Sequence, residues 1–308
     1  MSDFPADVML GIQPLAGGMS GETWLTDVAG ERAVLRIYAG RSRQRGPTAS
    51  ETDAAVLNWL AGLLPVPRVL EVRRGDPTGR PGAPDLPALL VTSYLPGVLL
   101  EDLLPKLDVT GLGRVGGEIG TLLGRLAHVA LPRSGLFHDH ELGIDPMPEP
   151  LSDLPRWVEH HTPALEGWAE TELAGLRSLA VDAQARLDLV TRSCLVHSDM
   201  NPKNLLVDPD TLTVTGVLDW EFAHAGSPYS DLGNVLRFHR QPAFADAVVA
   251  AREAFVPDPR PDALDLARAA DLFALVDLAG RADENPVARR AADLLRAVVR
   301  AGDLHATS

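Results

Sequence analysis

Apolar and polar side chains alternate along residues 23–28 and again along 32–38, and Ala29-Gly30 between the two runs predicts a β-hairpin. From about residue 47 to 63 the period changes. Ala54, Ala55, Leu57 and Leu60 recur at helical spacing until Pro65-Val-Pro67 ends the segment. Strand patterning resumes at 69–73 and 89–94, on either side of a Gly- and Pro-rich stretch, 75–87, that reads as a surface loop.

Beyond Pro96-Gly97 the pattern is helical, with long periodic segments at 114–129, 157–190, 261–280 and 285–302. One stretch departs from it. Two short apolar runs, 205–207 and 214–218, flank the turn Asp208-Pro-Asp-Thr211 and predict a β-hairpin embedded among helices. The expected organisation is a small β-rich lobe, residues 1–96, followed by a larger, mainly helical lobe, residues 97–308, an α+β arrangement without internal repeats.

Composition narrows the function classes. The 308 residues carry 28 basic and 42 acidic side chains, a formal net charge of −14, which argues against gripping a nucleic-acid backbone. Residues 1–96 hold 9 basic and 10 acidic side chains, so nearly all of the acidic excess lies in the second lobe, first a solvated acidic surface and alternatively a field that steers a cationic substrate. No apolar run is long enough to span a membrane, and the acidic start Met-Ser-Asp-Phe-Pro-Ala-Asp lacks the base of a signal peptide. The single cysteine, Cys194, can form no intramolecular disulfide. A soluble, cytoplasmic protein with neither membrane nor nucleic-acid partner is expected.

The chemistry concentrates in Leu195-Val-His197-Ser-Asp199-Met-Asn-Pro-Lys203-Asn204, followed after the predicted hairpin by Val217-Leu-Asp219-Trp-Glu221. Asp199 and Asn204 are five apart in a loop entering a strand, and Asp219 follows the next strand, so their oxygens can converge at one end of the hairpin. An amide and a carboxylate are the donors that a Mg²⁺ bridging phosphate oxygens takes. A carboxylate held off the metal can accept the proton of an attacking hydroxyl. His138-Asp-His140 and His160-His161 have no partners at zinc spacing.

This run resembles the catalytic loop of the aminoglycoside phosphotransferase family, the protein-kinase-like small-molecule kinases. That family usually has Gly where this chain has Ser198. The segment from Asp219 through Gly226-Ser-Pro-Tyr-Ser-Asp231-Leu-Gly continues the resemblance, with His197 and Asp231 as structural supports of the loop. Upstream, Ala33-Val-Leu-Arg36-Ile-Tyr resembles the strand carrying a phosphate-binding Lys, here Arg36, and Thr52-Asp53-Ala-Ala-Val-Leu resembles the helix supplying its acidic partner. Asp53 stands at that position, with Glu51 as the alternative. Leu15-Ala-Gly17-Gly18-Met-Ser20-Gly21 resembles the loop over the nucleotide phosphates, and Ser93-Tyr94-Leu95 falls at the hinge whose backbone would read the adenine edge.

The resemblance implies a two-lobed, protein-kinase-like fold that binds ATP or GTP between its lobes. It implies Mg²⁺ on Asn204 and Asp219 and Asp199 as the catalytic proton acceptor; Glu221 either faces a second metal ion or the acceptor, or is an exposed acid. The γ-phosphate would pass to a hydroxyl of a small, cationic molecule, an aminoglycoside-type antibiotic first. A metabolic kinase acting on a sugar, amino alcohol or amino acid, and a catalytically silent nucleotide-binding scaffold, are the alternatives.

Overall fold

The computed structural model describes residues 13–14, 22–39, 45–75 and 86–307. In chain order the first elements are β1 (Gln13–Pro14), β2 (Glu22–Val28), β3 (Glu31–Ile37), α1 (Ala49–Leu60), β4 (Val69–Arg73), β5 (Leu89–Ser93) and β6 (Val98–Leu99). Then come α2 (Leu100–Leu103), α3 (Val109–Ala127), β7 (Ala130–Leu131), β8 (Gly135–Phe137), β9 (Ile144–Asp145), α4 (Leu154–His161), α5 (Glu170–Leu187) and β10 (Ser193–Val196). The chain closes with β11 (Leu205–Val207), β12 (Val214–Val217), β13 (His224–Gly226), α6 (Ser230–Leu236), α7 (Pro242–Glu253), α8 (Ala263–Ala279) and α9 (Pro286–Ala301). They fall into two compact units. One comprises Met1–Leu99, Phe137–Gly143 and Asn204–Glu221; the other Leu100–Leu136, Ile144–Lys203 and Phe222–Ser308.

The first unit is built on an antiparallel sheet in the order β1-β2-β3-β5-β4, with α1 against β4 and β5. The expected hairpin joins β2 to β3. Ala29 and Gly30 both take positive φ (55° and 85°), the two-residue geometry whose twist matches the flanking strands, and the Asp27 carboxylate accepts the Gly30 N–H at 2.8 Å. Alternation along β3 buries Ala33 with Leu89 and Val91 of β5, and in the same register Arg36 lies opposite Leu90. The second predicted hairpin, β11-β12, is extended by β6 into a three-stranded sheet, Leu206 pairing with Leu99 on one side and Gly216 on the other.

The second unit is mainly helical. Leu176, Leu272, Leu275, Val276, Leu295 and Val298 from α5, α8 and α9 share one apolar core, and a small sheet ordered β7-β10-β13-β8-β9 carries the chain toward Asp199. The boundaries of α9 follow from its sequence. The Asn285 side chain accepts the Ala288 N–H at 2.9 Å, Pro286 opens the first turn, and Gly302 ends the helix at φ 63°. The single helix expected over 157–190 is instead two, α4 and α5. Pro163 sits in a short 3-10 turn after α4, and Gly167 takes φ 74°, a left-handed conformation that a helix cannot contain.

Helices α3 and α7 approach closely because α3 places Gly116, Gly120 and Gly124 along one stripe. A Cβ at Gly120 would lie 2.3 Å from the Val248 carbonyl oxygen and 2.8 Å from the Ala251 Cβ. The adjacent Gly117 has no such neighbour within 4 Å. Gly120→Ala is therefore expected to destabilise by about 1–3 kcal/mol through forced separation of the helices. Gly117→Ala should stabilise by roughly 0.5–1 kcal/mol through helix propensity. Urea midpoints of the two variants read the contrast directly.

Candidate active site

The loop leaving β10 turns sharply at His197 and Ser198. His197 is fully buried, and Ser198 holds φ 69°, a region where a residue with a Cβ is rare. Asp231, near the start of α6, fixes this turn by accepting the backbone N–H of His197 and of Ser198, each at 2.8 Å. Burial pushes the Asp231 carboxyl above its usual range, while His197 and the two N–H donors pull it down. The His197 Nδ1 accepts the Asp199 N–H at 3.2 Å, so the three residues form one hydrogen-bonded turn.

Asp199 projects from that turn with both carboxylate oxygens engaged. Asn201 Nδ2 donates to Oδ1 at 2.6 Å, and Lys203 Nζ lies 3.2 Å from Oδ2. Lys203 reads from sequence only as a surface charge beside Asn204, and because residues 199–201 are a loop no helical spacing announces its pairing with Asp199.

In the other unit, the open end of the β11-β12 hairpin carries Asn204 and Asp219. The Asn204 carbonyl accepts the Leu218 N–H at 2.8 Å, which ties the backbone before Asp219 to Asn204. Asp219 itself takes φ 61°, turning the chain away from the strand. Arg36 reaches this end from β3. Its Nη1 donates to Asp219 Oδ1 at 2.7 Å and its Nη2 to Glu221 Oε2 at 2.5 Å. Burial works against the Arg36 charge, but Asp219 and Glu221 outweigh it and hold the guanidinium more firmly protonated than usual.

Two expectations change here. Neither Asp53 nor Glu51 supplies the carboxylate bonded to the Arg36 terminal nitrogens. Asp53 is clasped by Arg45 at 2.6 and 2.8 Å and accepts the Tyr38 hydroxyl at 2.6 Å, while Glu51 lies 3.9 Å from Arg74. Tyr38 and Arg45 reach Asp53 before Arg36 does, because α1 presents it beside the end of β3. Glu221, in turn, is not an exposed acid: it is buried, with its Oε2 accepting from Arg36.

Ser93 ends β5, and Tyr94 and Leu95 follow it. The Ser93 N–H donates to the Arg68 carbonyl and the Tyr94 N–H to the Arg32 carbonyl, so both amides serve the sheet, and Arg32 lies over the Tyr94 ring at 4.1 Å. Gly17, Gly18 and Ser20 lie outside the described residues. His160 and His161 pack around Trp157, whose indole N–H donates to the Phe273 carbonyl. Among the described residues no three His, Cys, Asp or Glu side chains cluster in a way that could hold a metal ion.

Asn204 and Asp219 nonetheless suit Mg²⁺, which takes one or two protein oxygens and completes its shell with phosphate oxygens and water. Their end of the hairpin already attracts a cation, the Arg36 guanidinium. Among the described residues no helix is long and apolar enough to cross a membrane.

The chain matches a family described as the phosphotransferase enzyme family over residues 11–269. It is 26% identical over 279 residues to streptomycin 3''-kinase of Streptomyces griseus, covering 84% of this chain and 94% of that protein. It is 25% identical over 217 residues to acyl-CoA dehydrogenase family member 10 of Mus musculus, a match that takes in 70% of this chain but spans only 19% of that protein. Among solved structures it resembles a thermostable mutant of aminoglycoside phosphotransferase APH(4)-Ia in ternary complex with AMP-PNP and hygromycin B. There the TM-score is 0.66, with 21% identity and 94% of each chain covered. The fold is thus the protein-kinase-like α+β fold expected, with a β-rich N-terminal region and a helical C-terminal one. The chain belongs to the phosphotransferase enzyme family, the aminoglycoside phosphotransferase group that its catalytic-loop sequence resembles.

Proposed function

We propose that the protein transfers the γ-phosphate of ATP or GTP to a hydroxyl of a small cationic molecule, with an aminoglycoside-type antibiotic as the first candidate. The observation that carries the reading is the loop geometry: a buried Asp231 clamps the 197–198 backbone and leaves the Asp199 carboxylate beside Lys203. In this scheme residues 1–96 form the nucleotide-binding lobe, with Arg36 holding phosphate oxygens and residues 93–95 meeting the base. Residues 97–308 form the catalytic and acceptor-binding lobe.

Asp199 orients the acceptor hydroxyl and takes its proton as the new oxygen–phosphorus bond forms and the nucleoside diphosphate leaves. The Lys203 ammonium offsets negative charge close to that carboxylate. Asn204 and Asp219 would hold Mg²⁺, which when bound supplies charge neutralisation at the phosphates. Glu221 keeps Arg36 in place.

Kinship with streptomycin 3''-kinase over nearly that protein's whole length supports an aminoglycoside acceptor, and the acidic excess beyond residue 96 suits a polycation. A second reading, a metabolic small-molecule kinase, draws on the match to a segment of a mammalian protein named for acyl-CoA dehydrogenation.

Coupled ADP or GDP release across aminoglycosides, macrolides, amino alcohols and sugars, with mass spectrometry of each product, tests both. One added phosphate on an aminoglycoside is the expected result. Turnover only on a sugar or amino alcohol would select the second reading, and nucleotide binding with no turnover on any acceptor would leave a scaffold.

A further inference from the structure

Ser198 poses a conformational problem that Asp231 alone does not solve. Its φ of 69° is one that glycine takes freely and serine adopts only when held. Asp231 secures the N–H side of the residue. The carbonyl side is secured by Asn234, one turn further along α6 and on the same helical face. With its amide in the orientation that satisfies both neighbours, Asn234 donates to the Ser198 carbonyl oxygen at 2.9 Å and accepts from Arg237 Nη2 at 2.9 Å.

Arg237 is itself fixed from a third element. Its Nε lies 3.0 and 3.1 Å from the two carboxylate oxygens of Asp271 on α8, and its Nη2 donates to Oδ1 at 2.7 Å. Asn234, Arg237 and Asp271 are all buried, so the ion pair is bidentate and shielded from water. Helix α8 comes close enough because α6 carries Gly233 at the contact, where a Cβ would lie 2.5 Å from the Ala267 carbonyl oxygen. The chain Asp271–Arg237–Asn234–Ser198 therefore runs from the helical core to the peptide immediately before Asp199.

We propose that Asn234, oriented by the Arg237–Asp271 ion pair, is a positioning residue: it holds the Ser198 peptide in its left-handed conformation and so sets the direction of Asp199. The functional part rests on the reading of Asp199 as the proton acceptor. The mechanical part does not. A serine where the family usually has glycine needs a tether on its carbonyl, and Asn234 is that tether.

The test is a double-mutant cycle between Asn234 and Ser198 in the full chain. Asn234→Ala is expected to lower kcat about 30-fold, with nucleotide affinity held within twofold. In a Ser198→Gly background, where the left-handed conformation no longer needs holding, the same change should cost at most about threefold. Asn234→Leu keeps the size without a donor to Ser198 and adds no charge beside Asp271, which still holds Arg237, so it should fold and reproduce the loss if the alanine variant does not. Equal losses in both backgrounds, or losses that follow the unfolding midpoint alone, would overturn the proposal.

Hydrogen exchange provides a readout independent of turnover. Protection at residues 197–201 should fall at least tenfold in Asn234→Leu while that of α9 is unchanged; unchanged protection at 197–201 would also overturn it. If the wild type phosphorylates nothing, the reading of Asp199 fails, and the exchange result still decides whether Asn234 holds the loop.

Discussion

Asp199→Asn is expected to lower phosphate transfer by about 10²–10⁴-fold while leaving nucleotide affinity within about twofold. The substitution keeps the shape of the side chain and an oxygen to accept from Asn201, now 2.6 Å from Oδ1. It removes the negative charge facing Lys203, but that contact is 3.2 Å long and the lysine is more than half exposed, so its loss costs little stability. The backbone clamp from Asp231 does not involve the Asp199 side chain and should persist. What disappears is a group able to take the hydroxyl proton, and removal of a positioned general base has an effect of that size. Product formation by mass spectrometry, beside calorimetric titration with the nucleoside diphosphate, separates the two quantities. Transfer within tenfold of wild type would remove Asp199 from the proton-accepting role, and a parallel fall in nucleotide affinity would place it in the binding machinery instead.

The sequence was informative where function and geometry are local. The Ala29-Gly30 turn, the Asn285 and Gly302 caps of α9, and the hairpin between Asn204 and Asp219 each depend on residues a few positions apart, and each forms as its pattern implies. The break between α4 and α5 was written locally too, in Pro163 and Gly167, but the apolar periodicity on either side masked it. Strands such as β6, β7 and β9 are only two residues long and carry no readable period.

Pairings between distant segments were the harder part. Arg36 is separated from Asp219 by 183 positions and from Glu221 by 185, and nothing in local spacing chooses these over Asp53. The choice depends on Tyr38 and Arg45 reaching Asp53 first, which becomes visible only when α1 and β3 are packed. Asn234 was hidden for another reason. Its importance follows from the backbone angle at Ser198, and the sequence recorded only a serine in place of a glycine.

Arg36→Met provides the sharpest check on that rearranged pairing. The Arg36 side chain is 17% exposed and that of Glu221 only 1%, so removing the guanidinium takes a bonded cation away from a buried carboxylate. Breaking such a pair from one side is expected to destabilise by about 3–5 kcal/mol, nearer the lower figure here because Asp219 remains partly in water. The companion variant decides the cause. Arg36→Met with Glu221→Gln removes the buried charge along with the arginine and should recover most of the lost stability, because an uncharged amide costs far less to bury than a carboxylate deprived of its bonded cation. Arg36→Met with Asp53→Asn should not recover any, since Asp53 answers to Arg45 and Tyr38, and the two losses should instead add. Urea unfolding of wild type, the three single variants and the two double variants measures the coupling. Rescue by Asp53→Asn rather than Glu221→Gln would return the arginine's anchor to α1; rescue by Glu221→Gln ties Arg36 to the Asp219 segment, so that the proposed phosphate-holding group and the proposed metal ligand are set by one shared contact.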